Sequence, residues 1–197
     1  MRPMDISTRA AVAPTCAAVS AALDDPPAVD LSGRTPCEAF DVRALVEHLV
    51  GTSGALAALG RGEPLDPDDP WGGGAGAADG DWSARLRRNL DDLTQGWDRP
   101  AAWDGEAAVG GSSLPRAVLG EMALVEVALH GWDLARALGR NVALDPDVAA
   151  AVDRAVAGSA DLGRQLGAYG PEVRAPADAD DLDRALARSG RDPRWPS

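Results

Sequence analysis

The chain has 197 residues, enough for one domain with its own core, and 45% of them are hydrophobic, which excludes global disorder. Its 31 acidic residues against 19 basic ones leave a net charge of −12, which argues against nucleic acid and against anionic membrane surfaces as partners. No apolar run approaches the roughly 18 residues of a membrane span, and the start Met-Arg-Pro-Met-Asp lacks a signal peptide's apolar core, so the expected compartment is the cytoplasm.

In chain order, residues 6–23 carry apolar positions on a helical period, with Pro14 expected either to kink the helix or to make it restart at Thr15. Asp24-Asp-Pro-Pro27 ends it. Residues 29–40 form a connector, and Asp41 is an N-cap for a second helix carrying Val42, Leu45, Val46, Leu49 and Val50 on its apolar side. That helix runs to about Leu59, where Gly60 and Gly62 stop it. Residues 61–80 then form a Pro-, Gly- and Asp-rich loop, long enough to be a crossover or a lid. Within it Gly72-Gly-Gly74 is loop glycine, since no strand precedes it and no helix follows.

A third helix over residues 81–97 shows Trp82, Leu86, Leu90, Leu93 and Trp97 at helical spacing. Residues 99–113 read as irregular, with a short strand expected near 107–109. Pro115 suits the first turn of a fourth helix, which runs to about Leu138 with Gly139 behind it. A fifth is expected over 146–158 behind Asp145, a mixture of helix and loop over 156–175, and a short last helix over 179–189 ending at Gly190. At least four helices and almost no strand imply an all-α bundle, expected as a single domain over 1–197.

The only two histidines are His48, on the second helix, and His130, on the fourth. Glu126 lies four residues before His130, so the two share a helix face. Two imidazoles and one carboxylate form a three-ligand set with an open position, the kind used by catalytic zinc. Glu126 sits in an apolar stretch, Met122 to Leu129, where a carboxylate needs a partner. The bland alternative is that Glu126 faces solvent or pairs with an arginine. Asp133, three residues beyond His130, is the first candidate to orient that ring, against the alternative of a salt bridge to Arg136 or Arg43. Trp132 points away from that face and reads as core.

Two stretches carry a resemblance. Thr35-Pro-Cys-Glu-Ala-Phe-Asp-Val-Arg-Ala-Leu-Val-Glu-His48 resembles the Thr-Pro-Cys-x-x-Trp-x-Val-x-x-Leu-x-x-His signature of the mycothiol-dependent maleylpyruvate isomerase N-terminal family, part of the DinB-like helical-bundle superfamily. Glu126-Val-Ala-Leu-His-Gly-Trp-Asp-Leu-Ala135 is similar to that family's second signature, and Ser189-Gly-Arg-Asp-Pro-Arg-Trp195 to the usual end of its single-domain, metal-binding branch. Phe40 stands where tryptophan is common. The resemblance implies a DinB-like four-helix bundle with one long crossover, here residues 61–80, and extra short C-terminal helices. It implies His48, Glu126 and His130 as ligands of a divalent metal, usually zinc.

It further implies that the metal activates a low-molecular-weight thiol, mycothiol, for S-transfer to, or isomerisation of, an electrophilic small molecule. A non-catalytic metal-binding sensor or interaction module and a metal-dependent hydrolase are the alternatives, and a homodimer stays open. Cys37 precedes the ligand-bearing helix and could be reactive there, but a small buried residue is the plainer reading. Cys16 reads as core, and both thiols are expected to stay reduced. Asp66-Pro-Asp-Asp69 lacks calcium-loop spacing and reads as solvated loop.

Overall fold

A computed structural model describes residues 6–26, 30–72 and 76–196. The expectations placed on residues 1–5, Pro27, Val29, Gly73 and Gly74 lie outside them. Four helices make the bundle: α1 (Thr8–Ala22), α2 (Val42–Arg61), α3 (Trp82–Trp97) and α4 (Arg116–Ala137). The second and third start where an aspartate accepts a backbone N–H of the first turn, Asp41 from Ala44 at 2.8 Å and Asp81 from Ala84 at 2.9 Å. Ser7 does the same for α1, from Ala10 at 3.2 Å.

Both α1 and α2 pack against α3 and α4, so the order around the bundle is α1, α3, α2, α4. Directions follow from the bonds between helices. The Asn89 amide donates to the Val50 carbonyl at 2.8 Å and the Trp97 indole to that of Leu56 at 2.9 Å, so α2 and α3 run parallel. Arg116 reaches Leu59 while Glu126 meets His48, so α4 opposes α2. Arg9 pairs with Asp98 and Arg87 with Asp24, so α1 opposes α3. The bundle is up-down-down-up. Two parallel neighbours need a connection that travels back along a helix of about 30 Å, and residues 62–81 do this; the expected crossover is real.

Several boundaries correct the sequence reading. Helix α1 runs through Pro14 without a restart. Pro115 is the N-cap of α4, not a first-turn residue. The expected strand exists as β1 (Glu106–Val109), but it pairs with β2 (Ser112–Pro115), where an irregular segment was expected. Gly110 and Gly111, at φ 54° and 80°, make the two-residue turn between them. Helix α5 (Pro146–Gln165) continues past Gly158, because Ala160 and Gly163 keep its buried face going. Asp145 is its N-cap but makes no side-chain cap bond. A short α6 (Asp181–Arg188) starts behind Asp180. Helix α5 packs on α1 and α4, and α6 packs on α5. No helix among the described residues is long and apolar enough to cross a membrane.

Trp132 and Cys16 are core residues, as expected, and Asp66–Asp69 lies exposed on the crossover. Burial pushes the Cys16 thiol up to about 12, outweighing a hydrogen bond with Thr94. The fold therefore favours the neutral thiol. Its contribution to stability is complete below pH 9 and drains away as pH rises from about 9 towards 12, where only the unfolded chain ionises, at a cost of up to about 4 kcal/mol. Urea unfolding from pH 8 to 11 should show this decline in the wild type and a flatter one in Cys16→Ala. Equal slopes would show that another group carries it.

Candidate metal centre

The site lies where α2 and α4 face each other. Glu126 and His130 occupy one face of α4, one turn apart, and His48 meets them from α2. His48 Nε2 stands 3.2 Å from Glu126 Oε2, and His130 Nε2 stands 3.7 Å from the same oxygen. The two rings meet edge to face at 4.7 Å. Each of the three side chains offers one ligand atom, and these atoms lie within 4.8 Å of one another. Around a tetrahedral ion bound at about 2.0–2.1 Å, neighbouring ligand atoms are about 3.3 Å apart. The spacing seen here is close to that, so the donor set fits a small divalent cation.

Glu126 is not turned out to solvent; 20% of its side chain is exposed. Burial pushes its carboxyl up, but the hydrogen bond with His48 and the neighbouring His130 and Arg191 outweigh this and hold it below the usual carboxylate range. The carboxylate is thus anionic and available as a ligand.

Behind His130 lies a buried ion pair that sequence reasoning missed. Asp133, fully buried, pairs neither with Arg136 nor with Arg43, as the salt-bridge alternative had it; its partner is Arg191, which is 3% exposed. Arg191 Nε donates to both carboxylate oxygens at 2.9 Å, and a second guanidinium nitrogen donates to Oδ2 at 2.8 Å. Asp133 Oδ2 also lies 3.0 Å from His130 Nδ1. Arg191 approaches that same nitrogen at 3.4 Å, which as a hydrogen bond would need Nδ1 bare. The shorter contact to an anion decides: Nδ1 carries the proton and donates it to Asp133, leaving the Nε2 lone pair facing Glu126. Burial raises the Asp133 carboxyl, and the Arg191 charge more than reverses this.

The signal for Arg191 was present in the tail motif Ser189-Gly-Arg, but nothing local joined it to Asp133. The turn that delivers it depends on Gly190, at φ 87°, where an added Cβ would come within 2.7 Å of Gly170 Cα. Gly131, next to His130, plays a similar part on α4: a Cβ there would meet Val19 of α1 at 2.6 Å.

The connector before α2 is shaped by its own residues. The buried Thr35 hydroxyl lies 2.9 Å from the Cys37 carbonyl and 2.8 Å from that of Phe40. This sets Phe40 over the site, stacked on His48 at 4.9 Å and edge-on to His130 at 5.7 Å. Cys37 is half-buried, and a second group of possible ligand atoms, Cys37, His130 and Asp133, is equally compact. Asp133 there is committed to Arg191, and burial pushes the Cys37 thiol up, so the first group is the better cation site.

A cavity of about 130 Å³ opens at the histidines, with Phe40, Leu129 and Tyr169 in its walls. It adjoins a cleft of about 380 Å³ that shares Cys37, Ala39 and Arg191, and a groove of about 180 Å³ that shares Val125, Glu126 and Tyr169. A larger depression of about 740 Å³ between α1 and α3 touches neither histidine.

An up-down-down-up helical bundle with two imidazoles and a carboxylate converging between α2 and α4 defines a class: all-α bundles carrying a three-donor centre. Within that class the chain belongs to the mycothiol maleylpyruvate isomerase N-terminal domain family, whose model matches residues 12–135. It is also 30% identical over 181 residues to two Mycobacterium tuberculosis proteins, the uncharacterized proteins MT0763 and Rv0738, across 82% of this chain and 87% of each of theirs. No solved structure matches it.

Proposed function

We propose that His48, Glu126 and His130 hold a divalent cation, best matched by zinc, and that this centre activates a low-molecular-weight thiol, mycothiol, towards an electrophilic small molecule. The observation that carries the reading is the approach of both Nε2 atoms to one carboxylate oxygen at near-tetrahedral spacing. A bound divalent cation supplies one chemistry here: it favours the ionised, nucleophilic form of a thiol.

The chain's own residues do the rest. His48 and His130 serve as neutral imidazoles. Asp133 accepts the Nδ1 proton of His130 and so fixes the tautomer that presents Nε2. Glu126 brings the only anionic donor of the set and offsets part of the cation's charge. Phe40 lies against both rings and limits their exposure to water. Residues 1–197 act as one unit in this reading, in the cytoplasm, as a thiol transferase or isomerase. The family name supports the thiol, and the open cavity at the histidines supports a small-molecule partner.

The test is proton release. Metal-loaded protein mixed with mycothiol in weak buffer at pH 7 should release about one proton per site, because the thiol binds in its ionised form. The metal-free protein should release none. If loaded protein releases no proton and binds no thiol, the thiol reading fails, and a metal-dependent hydrolase or a non-catalytic sensor takes its place.

A further inference from the structure

Among the described residues three large hydrophobic side chains are exposed, and all three lie on one face: Val118 at 48%, Leu162 at 58% and Leu166 at 75%. They line the groove of about 180 Å³ between α4 and α5, together with Met122 and Val125. Isolated exposed leucines are ordinary on a protein surface, whereas a cluster in a concavity marks a binding site. This concavity is continuous with the candidate metal centre, since Val125, Glu126 and Tyr169 belong to both cavities.

No arginine lines the groove. Its polar groups are few and engaged: the Tyr169 hydroxyl lies 3.2 Å from Ser159 Oγ, which itself donates to the Ala155 carbonyl at 3.0 Å, and Glu126 belongs to the centre. Glu121 stands exposed at the rim and repels anions. The chemistry therefore selects a neutral apolar group over a carboxylate, a phosphate or a sugar. The volume is comparable to the roughly 150 Å³ apolar cavity that takes up benzene, so it suits one aromatic ring or a chain of about six carbons. A stable protein interface engages about 20–30 residues a side, far more than these side chains supply, which sets a small molecule ahead of a second copy of the chain.

We infer that this groove holds the apolar part of the electrophilic substrate, an alkyl or aryl group whose reacting carbon lies at the Glu126 end. The inference rests on the proposed thiol chemistry for its reacting end, but the groove itself is tested separately. Straight-chain alcohols from ethanol to 1-decanol, which carry neither a thiol nor an electrophilic carbon, are titrated into metal-loaded protein while the Met122 methyl NMR signal is followed, assigned with Met122→Leu. The Met122 signal should move and saturate. Affinity should rise about two- to fourfold per methylene up to about six carbons and then level off.

The double variant Leu162→Asp, Leu166→Asp should weaken 1-hexanol at least tenfold with metal content unchanged. Leu166→Ser alone, at an exposed position, should weaken it in the same direction. A Met122 signal that does not move, affinity independent of chain length, or unaltered hexanol binding in the variants would overturn the inference. So would sedimentation showing a wild-type dimer that the aspartates split, since the face would then be a contact between copies. Hexanol binding alongside absent thiol-linked proton release would remove the thiol reading and leave the groove as an apolar site.

Discussion

Purified His130→Ala protein should retain no stoichiometric metal. His130 is the most enclosed donor of the centre, 8% exposed, and the only one whose second nitrogen is held by a buried anion. Its loss leaves one imidazole and one carboxylate, and water competes well against a two-point site. Losing a hydrogen-bond partner behind a ligand costs about 10–100-fold in metal affinity, so losing the ligand should cost more than 100-fold. Glu126→Gln keeps the shape and removes the anionic donor; it should weaken binding in the same direction. Metal content by elemental analysis after gel filtration decides the matter, with circular dichroism confirming that the helices survive. One metal per chain in both variants would place the ligands elsewhere.

The second large effect is on stability. Asp133→Asn should lower it by about 3–5 kcal/mol, because Arg191 would be left as a buried charge facing a neutral amide. For a chain of this size that corresponds to a fall in melting temperature of about 6–20 °C. Replacing both partners, Asp133→Leu with Arg191→Met, should recover much of the loss, since an apolar pair of similar bulk leaves no charge uncompensated. The pH dependence has a definite sign. Arg191 holds the Asp133 carboxyl below its ordinary value of 3.8. Its stabilisation is therefore present above about pH 4 and is lost as pH falls through the lower, folded-state value. Below that range wild type and Asp133→Asn should converge. A single variant as stable as the wild type would show that the unpaired Arg191 charge costs the fold little.

Much of the candidate centre could be read along the chain, for a physical reason. Glu126 and His130 share a face through helical periodicity, and the apolar residues around them imply burial. His48 sits on another strongly helical stretch with few other roles open to it. The crossover was legible too, because a long loop between adjacent helices implies that they run parallel. Arg191 was not legible. It lies 58 residues beyond Asp133, and no periodic pattern joins a tail to a helix across that distance. Strand β2 escaped for a different reason: Ser-Ser-Leu-Pro has no clean alternation, and pairing with β1 makes it a strand. Helix α5 runs past Gly158 because a glycine inside a helix costs only about 1 kcal/mol, and the buried face continues from Ala155 and Val156 to Ala160 and Gly163.

The region shared with the family ends at residue 135. It contains all three candidate ligands and Asp133, but not Arg191. The candidate donor set and the carboxylate behind it thus lie inside the matched stretch, while the charge facing that carboxylate comes from the segment that follows. Substitutions in such a tail can strengthen or loosen the grip on Asp133, and with it the hydrogen bond that orients the His130 ring, without touching a candidate ligand. The C-terminal segment thus reaches the surroundings of the candidate centre through Arg191, while the three candidate ligands stay on α2 and α4.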